Sequence, residues 1–209
     1  MSQAGKSLLF WATLIVVGLG IYTLASRFEA SEAQQRGGDA ALPAGDPEAK
    51  LKELGITLPE PAAPIANYVN VVRTGNLLFL AGKGPLQKDG KDVVGRLGDG
   101  KDVVGRLSPY MTIDEGYQAA RSVAIAHLAV LKHELGDLKR VRRIVKVLGM
   151  VNSDPAFTQQ PAVVNGYSDL MVAVFGERGK HARSAVGMAT LPNGIPVEVE
   201  VIVEIDPVR

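Results

Sequence analysis

The final strand-like run of the chain limits its fold more than any other feature. In VEVEVIVEI (residues 197–205), Val197, Val199, Val201, Val203 and Ile205 alternate with Glu198, Glu200, Ile202 and Glu204. Successive side chains of a strand point to opposite faces, so one face here is apolar and the other mostly charged. Such a strand needs neighbours to complete its backbone hydrogen bonds and a covering layer to bury its valines. The rest of the chain must supply both.

The covering layer is legible in two runs. TIDEGYQAARSVAIAHLAVLKHELG (Thr112–Gly136) has a capping-box pair in Thr112 and Glu115, acidic residues in its first turn and a glycine at its end. Val123, Leu128, Leu131 and Leu135, with alanines between, give it a narrow apolar face suited to close packing. PAVVNGYSDLMVAVFG (Pro161–Gly176) reads as a second helix, with Pro161 tolerated in its first turn and a stripe of Val164, Tyr167, Leu170, Met171 and Val174. The sheet is supplied by NYVNVVRTGNLLFLAG (Asn67–Gly82), two β-rich runs flanking Thr74-Gly75, by RRIVKVLGMVN (Arg142–Asn152), and by RSAVGMAT, which leads through Leu191-Pro192-Asn193-Gly194 into the last strand. Asp46-Pro47 has the form of an N-cap and first helical residue, and Gly55 suits the end of that short helix. The order β-β-α-β-α-β-β predicts an α+β fold: a single sheet with two helices on one face.

Ahead of this lies LLFWATLIVVGLGIYTLA (Leu8–Ala25), uncharged throughout and bounded by Lys6 and Arg27. It is at the lower end of membrane-spanning length and predicts an N-terminal hydrophobic helix. Residues 1–28 therefore read as a membrane anchor or signal segment, the anchor being preferred because a signal has a shorter apolar core and Thr23-Leu24-Ala25 is a poor cleavage site. Flanking charges are nearly balanced; the orientation expected is N-in with the domain exported to the periplasm, the alternative being a cytoplasm-facing domain. Residues 29–45, rich in Ala, Gly and Pro, read as a flexible linker, and residues 46–209 as the folded domain.

Composition narrows the chemistry. There is no cysteine, which excludes disulfides, thiolate zinc sites and a cysteine nucleophile. The three histidines, His127, His133 and His181, do not have helical ligand spacing, so no metal is expected. A net charge of +1 predicts no nucleic-acid partner. KRVRRIVK (Lys139–Lys146) is strongly basic but lacks the aromatic platforms of single-strand binders, and reads as a solvated strand entry. GERGKHARS (Gly176–Ser184) gathers Arg178, Lys180, His181 and Arg183, which would attract anions. The glycines of GKGPLQKDGK do not have phosphate-loop spacing. DGKDVVGRL occurs twice, in residues 89–98 and 99–108, and the two decapeptides differ only in ending with Gly98 or Ser108. Two copies do not make a solenoid. They read as a duplication in a tolerant loop, with Asp99-Gly100 offering an extra hairpin turn, or alternatively as a flap.

GKHARSAVGMATLPNGIPVEVEVIVEI resembles the closing signature of the RidA/YjgF reactive-intermediate deaminase family. NYVNVVRTGNLLFLAG followed by GP resembles its opening hairpin, and VVNGYSDLMVAVFG its second helix; the resemblance is nearest to the endoribonuclease L-PSP/chorismate mutase-like branch. It implies a homotrimer with clefts at the subunit interfaces, taking a small carboxylate-bearing metabolite. It also implies hydrolysis of enamines and imines to 2-keto acids and ammonia, without cofactor or metal. By the same resemblance Arg183 holds the substrate carboxylate, for which a guanidinium's paired donors are suited. Glu198 matches the catalytic glutamate that positions water and moves protons, Tyr68 the tyrosine at the cleft entrance and Asn165 an asparagine of the second helix. Ala81 and Ala185 stand where deaminating members often have serine and cysteine. These two alanines leave open a non-catalytic binding or sensor module at the same cleft. Without the resemblance, Arg183 would read as one partner of an ion pair with Glu198 or Glu200 across a hairpin.

Overall fold

The computed structural model describes residues 45–64, 66–98 and 110–207. The expected hydrophobic helix over Leu8–Ala25, nearly all of the linker and the Asp99-Gly100 turn lie outside these residues. Among the described residues no helix is long and apolar enough to cross a membrane.

Helix α1 (Pro47–Glu53) begins at Asp46, whose carboxylate accepts from the Glu48 and Ala49 amides. Strands β1 (Val71–Thr74) and β2 (Leu77–Lys83) form an antiparallel hairpin turned at Gly75, with φ +56°. Helix α2 (Ile113–Leu135) starts with the complete Thr112/Glu115 capping box and stops at Gly136, where φ is +74°. Strand β3 (Val141–Asn152), helix α3 (Gln160–Phe175), strand β4 (Ala182–Met188) and strand β5 (Val197–Ile205) complete the domain. The five strands form one sheet in the order β1-β2-β5-β3-β4. All neighbours are antiparallel except β3 and β4, which run parallel because α3 returns the chain between them. The expected α+β order holds, with α1 as a third, short helix.

Strands β4 and β5 follow each other in sequence but do not pair, because β3 lies between them. A hairpin ion pair between Arg183 and Glu198 or Glu200 is thereby ruled out. The alternation read in β5 is observed: its valines and Ile205 are buried in the core, with α2 packed on the strand. The predicted apolar stripes of both long helices are buried as well. The two helices come close together at Gly166, where a Cβ would overlap the Tyr117 carbonyl oxygen. The opposite sheet face stays open and partly apolar, with Val72, Phe79 and Val186 exposed.

The first decapeptide is built into the domain. Asp89 and Gly90 both have positive φ and turn a two-residue hairpin closed by Lys88 and Lys91. Further on, the Gly95 amide donates to the Gly194 carbonyl and the Leu97 amide to the Asn152 carbonyl, while Leu97 O accepts from Asp154. The Leu97 side chain is fully buried.

Candidate functional site

At the end of β2 the sheet opens into a cleft of about 590 Å³, lined by residues that include Tyr68, Gly82, Lys83, Leu86, Ala129 and Glu198. Glu198 projects from β5 over Gly82; any side chain at residue 82 would overlap its carboxylate. Burial, with the charge of Glu200 added, pushes the Glu198 carboxyl above the usual carboxylate range. Glu200 and Glu204, its neighbours on that face, do not line this cleft. Tyr68 lines the same cleft and is exposed.

The strand is irregular where it meets the cleft. Leu80 pairs with Val201 and Lys83 with Val199, so three steps along β2 match two along β5. This bulge turns Lys83 to the side of the sheet that Val199 shares with α2, against the alternation set by Leu78 and Leu80. Lys83 donates from Nζ to Asn70 Oδ1 at 2.5 Å, and Asn70 Nδ2 donates in turn to the Ala62 carbonyl at 3.0 Å. Lys83 was not foreseen. The signal available in sequence was the glycine interrupting a β-rich run at Ala81-Gly82-Lys83, a common sign of a bulge.

Arg183 and Asn165 form a second group, at the β4 edge. Arg183 Nη1 donates to Asn165 Oδ1 at 2.9 Å and to Ser168 Oγ at 3.0 Å, both on α3. Ser168 Oγ also lies 3.0 Å from His181 Nε2. Two residues along β4, Ala185 packs half-buried against the core. Ala81 does not line the Glu198 cleft: it lines a separate depression on the open sheet face with Phe79, Lys146 and Ile202, and its carbonyl accepts from the buried His127. One chain thus brings Tyr68 and Glu198 together, and Arg183 and Asn165 together, but not the two pairs. Arg183 reaches α3 on the helix side of the sheet, whereas Glu198 alternates to the other side, with β3 between their strands.

The basic segments are largely used within the fold. Arg178 is buried and donates to the carbonyls of Val141 and Gly45, so it is a packing element rather than a cleft cation. Lys139 pairs with Asp46, and Arg142 and Arg143 both approach Glu204. Among the described residues no cluster of metal-ligating side chains occurs.

A mixed five-stranded sheet with two long helices on one face, and a half-buried glutamate at a strand bulge, defines a YjgF-like α+β domain. Residues 48–204 match the family profile described as "YjgF/chorismate_mutase-like, putative endoribonuclease". The chain belongs to this family, that of the RidA/YjgF proteins. It is 43% identical over 168 residues to Protein TCP17 of Trypanosoma cruzi, covering 80% of this chain and 99% of that one. Among solved structures it is similar to Atu1372 of Agrobacterium tumefaciens, a protein of unknown function (44% identity, TM-score 0.65, 77% of this chain and 92% of the other). It is also similar to a Shewanella oneidensis protein described as an endoribonuclease candidate (28% identity, TM-score 0.68, 77% and 100% covered).

Proposed function

We propose that the domain binds a small carboxylate-bearing metabolite at clefts between the subunits of a homotrimer and hydrolyses enamines or imines to 2-keto acids and ammonia. The observation that carries this reading is the Glu198 carboxyl, half-buried in a cleft and held above the usual carboxylate range. An imine carbon is already electrophilic, so its hydrolysis needs an oriented water and a group able to take and return a proton near neutral pH. Water adds to the C=N carbon, its proton passing through Glu198 to the nitrogen. The resulting carbinolamine then passes its hydroxyl proton by the same carboxylate to the nitrogen, the C–N bond breaks, ammonia leaves and the carbonyl forms.

Arg183 supplies the carboxylate anchor in this reading, its guanidinium oriented by Asn165 and Ser168. Because Arg183 and Glu198 lie apart in one chain, the cleft is completed by a neighbouring copy. The exposed Val72, Phe79 and Val186 give the open sheet face the apolar character that such an assembly would cover. Light scattering of the purified protein is expected to give a trimer. Ammonia release from freshly generated 2-iminopropionate should fall to background in Arg183→Ala and Glu198→Gln; wild-type activity equal to that of Arg183→Ala would refute catalysis.

A second reading is favoured by Ala81 and Ala185, which remove two polar side chains: a binding module that senses the same carboxylate without turnover. Tight calorimetric binding of 2-keto acids with no ammonia release would establish it. In either reading Leu8–Ala25 is proposed to anchor the domain to a membrane with the domain exported, which a C-terminal reporter fusion tests.

A further inference from the structure

We propose that Lys83 is a second anion-binding group of the cleft, and that the substrate is a 2-imino or 2-keto acid with a further carboxylate at its far end. This rests on the reading above, in which Arg183 holds the carboxylate next to the reacting carbon. The cleft then selects diacids over monoacids.

The β2 bulge decides where this side chain goes. Regular alternation along β2 would turn Lys83 to the open sheet face with Phe79 and Glu198; the extra residue turns it to the helix side, where with Ala129 it lines the wall of the cleft across the strand from Glu198. The ammonium is therefore placed by backbone geometry and not by the freedom of a surface lysine. It has three donors, and the structure gives one of them a partner, Asn70 Oδ1. Asn70 is itself fixed to Ala62, so the ammonium is held rather than swinging.

No carboxylate among the described residues forms an ion pair with Lys83. Burial lowers its pKa, with no charged partner acting to raise it. Its charge is also felt in the core, where it contributes to the lowered pKa of His127. Glu198 lines the same cleft but forms no ion pair with it. Glu60 and Asp92 also line the cleft but are exposed, and Asp92 accepts from Gln87 Nε2. Water screens those two charges far more than it screens a half-buried ammonium. A partly desolvated cation without a counter-ion in a ligand-sized cleft is relieved by an incoming anion. A single ammonium, with no arginine cluster or glycine-rich nest beside it, suits a carboxylate better than a phosphate.

The test is calorimetric titration of the full-length protein with 2-oxoglutarate and 2-oxopentanoate, which have the same chain length and differ by one carboxylate. Wild type should bind the diacid at least tenfold more tightly. Lys83→Met should bring 2-oxoglutarate down to the affinity of 2-oxopentanoate and leave the latter within twofold, while Lys83→Arg keeps the preference. Equal wild-type affinity for the two acids, or an unchanged preference in Lys83→Met, overturns the inference and leaves the cleft reading intact. Binding of neither acid to wild type overturns both. Should Lys83→Met fail to fold, the preference of wild type and of Lys83→Arg decides the matter.

Discussion

Acid should unlock this domain through one histidine. His127 on α2 is fully buried, with Nδ1 3.0 Å from the Tyr167 hydroxyl and Nε2 3.2 Å from the Ala81 carbonyl. A carbonyl can only accept, so Nε2 carries the proton and Nδ1 accepts from Tyr167. The neutral ring is thus satisfied on both sides, and a second proton would displace the tyrosine's hydrogen bond. Burial, helped by the charge of Lys83 and opposed by the Ala81 carbonyl, lowers the pKa from 6.5 to about 4. The unfolded chain takes up this proton as pH falls through 6.5, the folded chain only near 4. Stability present above the unfolded value is lost as pH falls, and the loss is complete below the folded value. Between about pH 7 and about pH 5 the loss from this one group is about 2 kcal/mol. Urea unfolding of wild type and His127→Gln across that range isolates it, because a glutamine amide can donate to Ala81 and accept from Tyr167 without titrating. Wild type should lose about 2 kcal/mol more than the variant over that range. Equal pH dependence in the two proteins would refute the assignment of a neutral, doubly bonded imidazole.

Three further outcomes follow from packing. Gly166→Ala places a methyl group on the Tyr117 carbonyl and forces α2 from α3, so urea unfolding should show a loss of about 1–3 kcal/mol or more. Arg178→Ala leaves the Val141 and Gly45 carbonyls without their guanidinium donor and empties a buried volume; a loss of about 3 kcal/mol is expected in the same assay. Deleting Asp99–Ser108 should leave a folded domain with an equal or higher melting temperature. The ends of the excised stretch already meet: the Met111 amide donates to the Arg96 carbonyl, and the Tyr110 ring lies against Gly98.

What could be read from sequence was what local physics decides. The alternation of β5, the Thr112/Glu115 box and the Tyr167 stripe each depend on a few adjacent residues, and each is observed. Strand order was not legible in the same way. Nothing in residues 182–205 says that β3, from some forty residues earlier in the chain, will separate β4 from β5. The site followed the same division. Glu198 and Tyr68 line one cleft, while Arg183 lies on the far side of the sheet, because its position depends on that strand order. Lys83 escaped notice because a one-residue bulge reverses the face that alternation assigns to it. Arg178 read as a surface charge and is buried, because its partners lie 37 and 133 residues away.

The repeated decapeptide has a consequence for how this chain will age. One copy is engaged at Gly95 and Leu97 by contacts that are mainly backbone, and its twin offers the same groups in the same order. The difference lies at the last position, where the Tyr110 ring occupies the space a side chain on Gly98 would need. A single missing Cβ therefore favours the copy ending in glycine over the copy ending in serine. Substitutions at Leu97 or Gly98 would disturb the buried side chain and the Tyr110 packing, so the engaged copy is the one expected to resist change. Among related chains that carry the repeat, Leu97 and Gly98 should therefore vary least, and that pattern would record which copy the core holds.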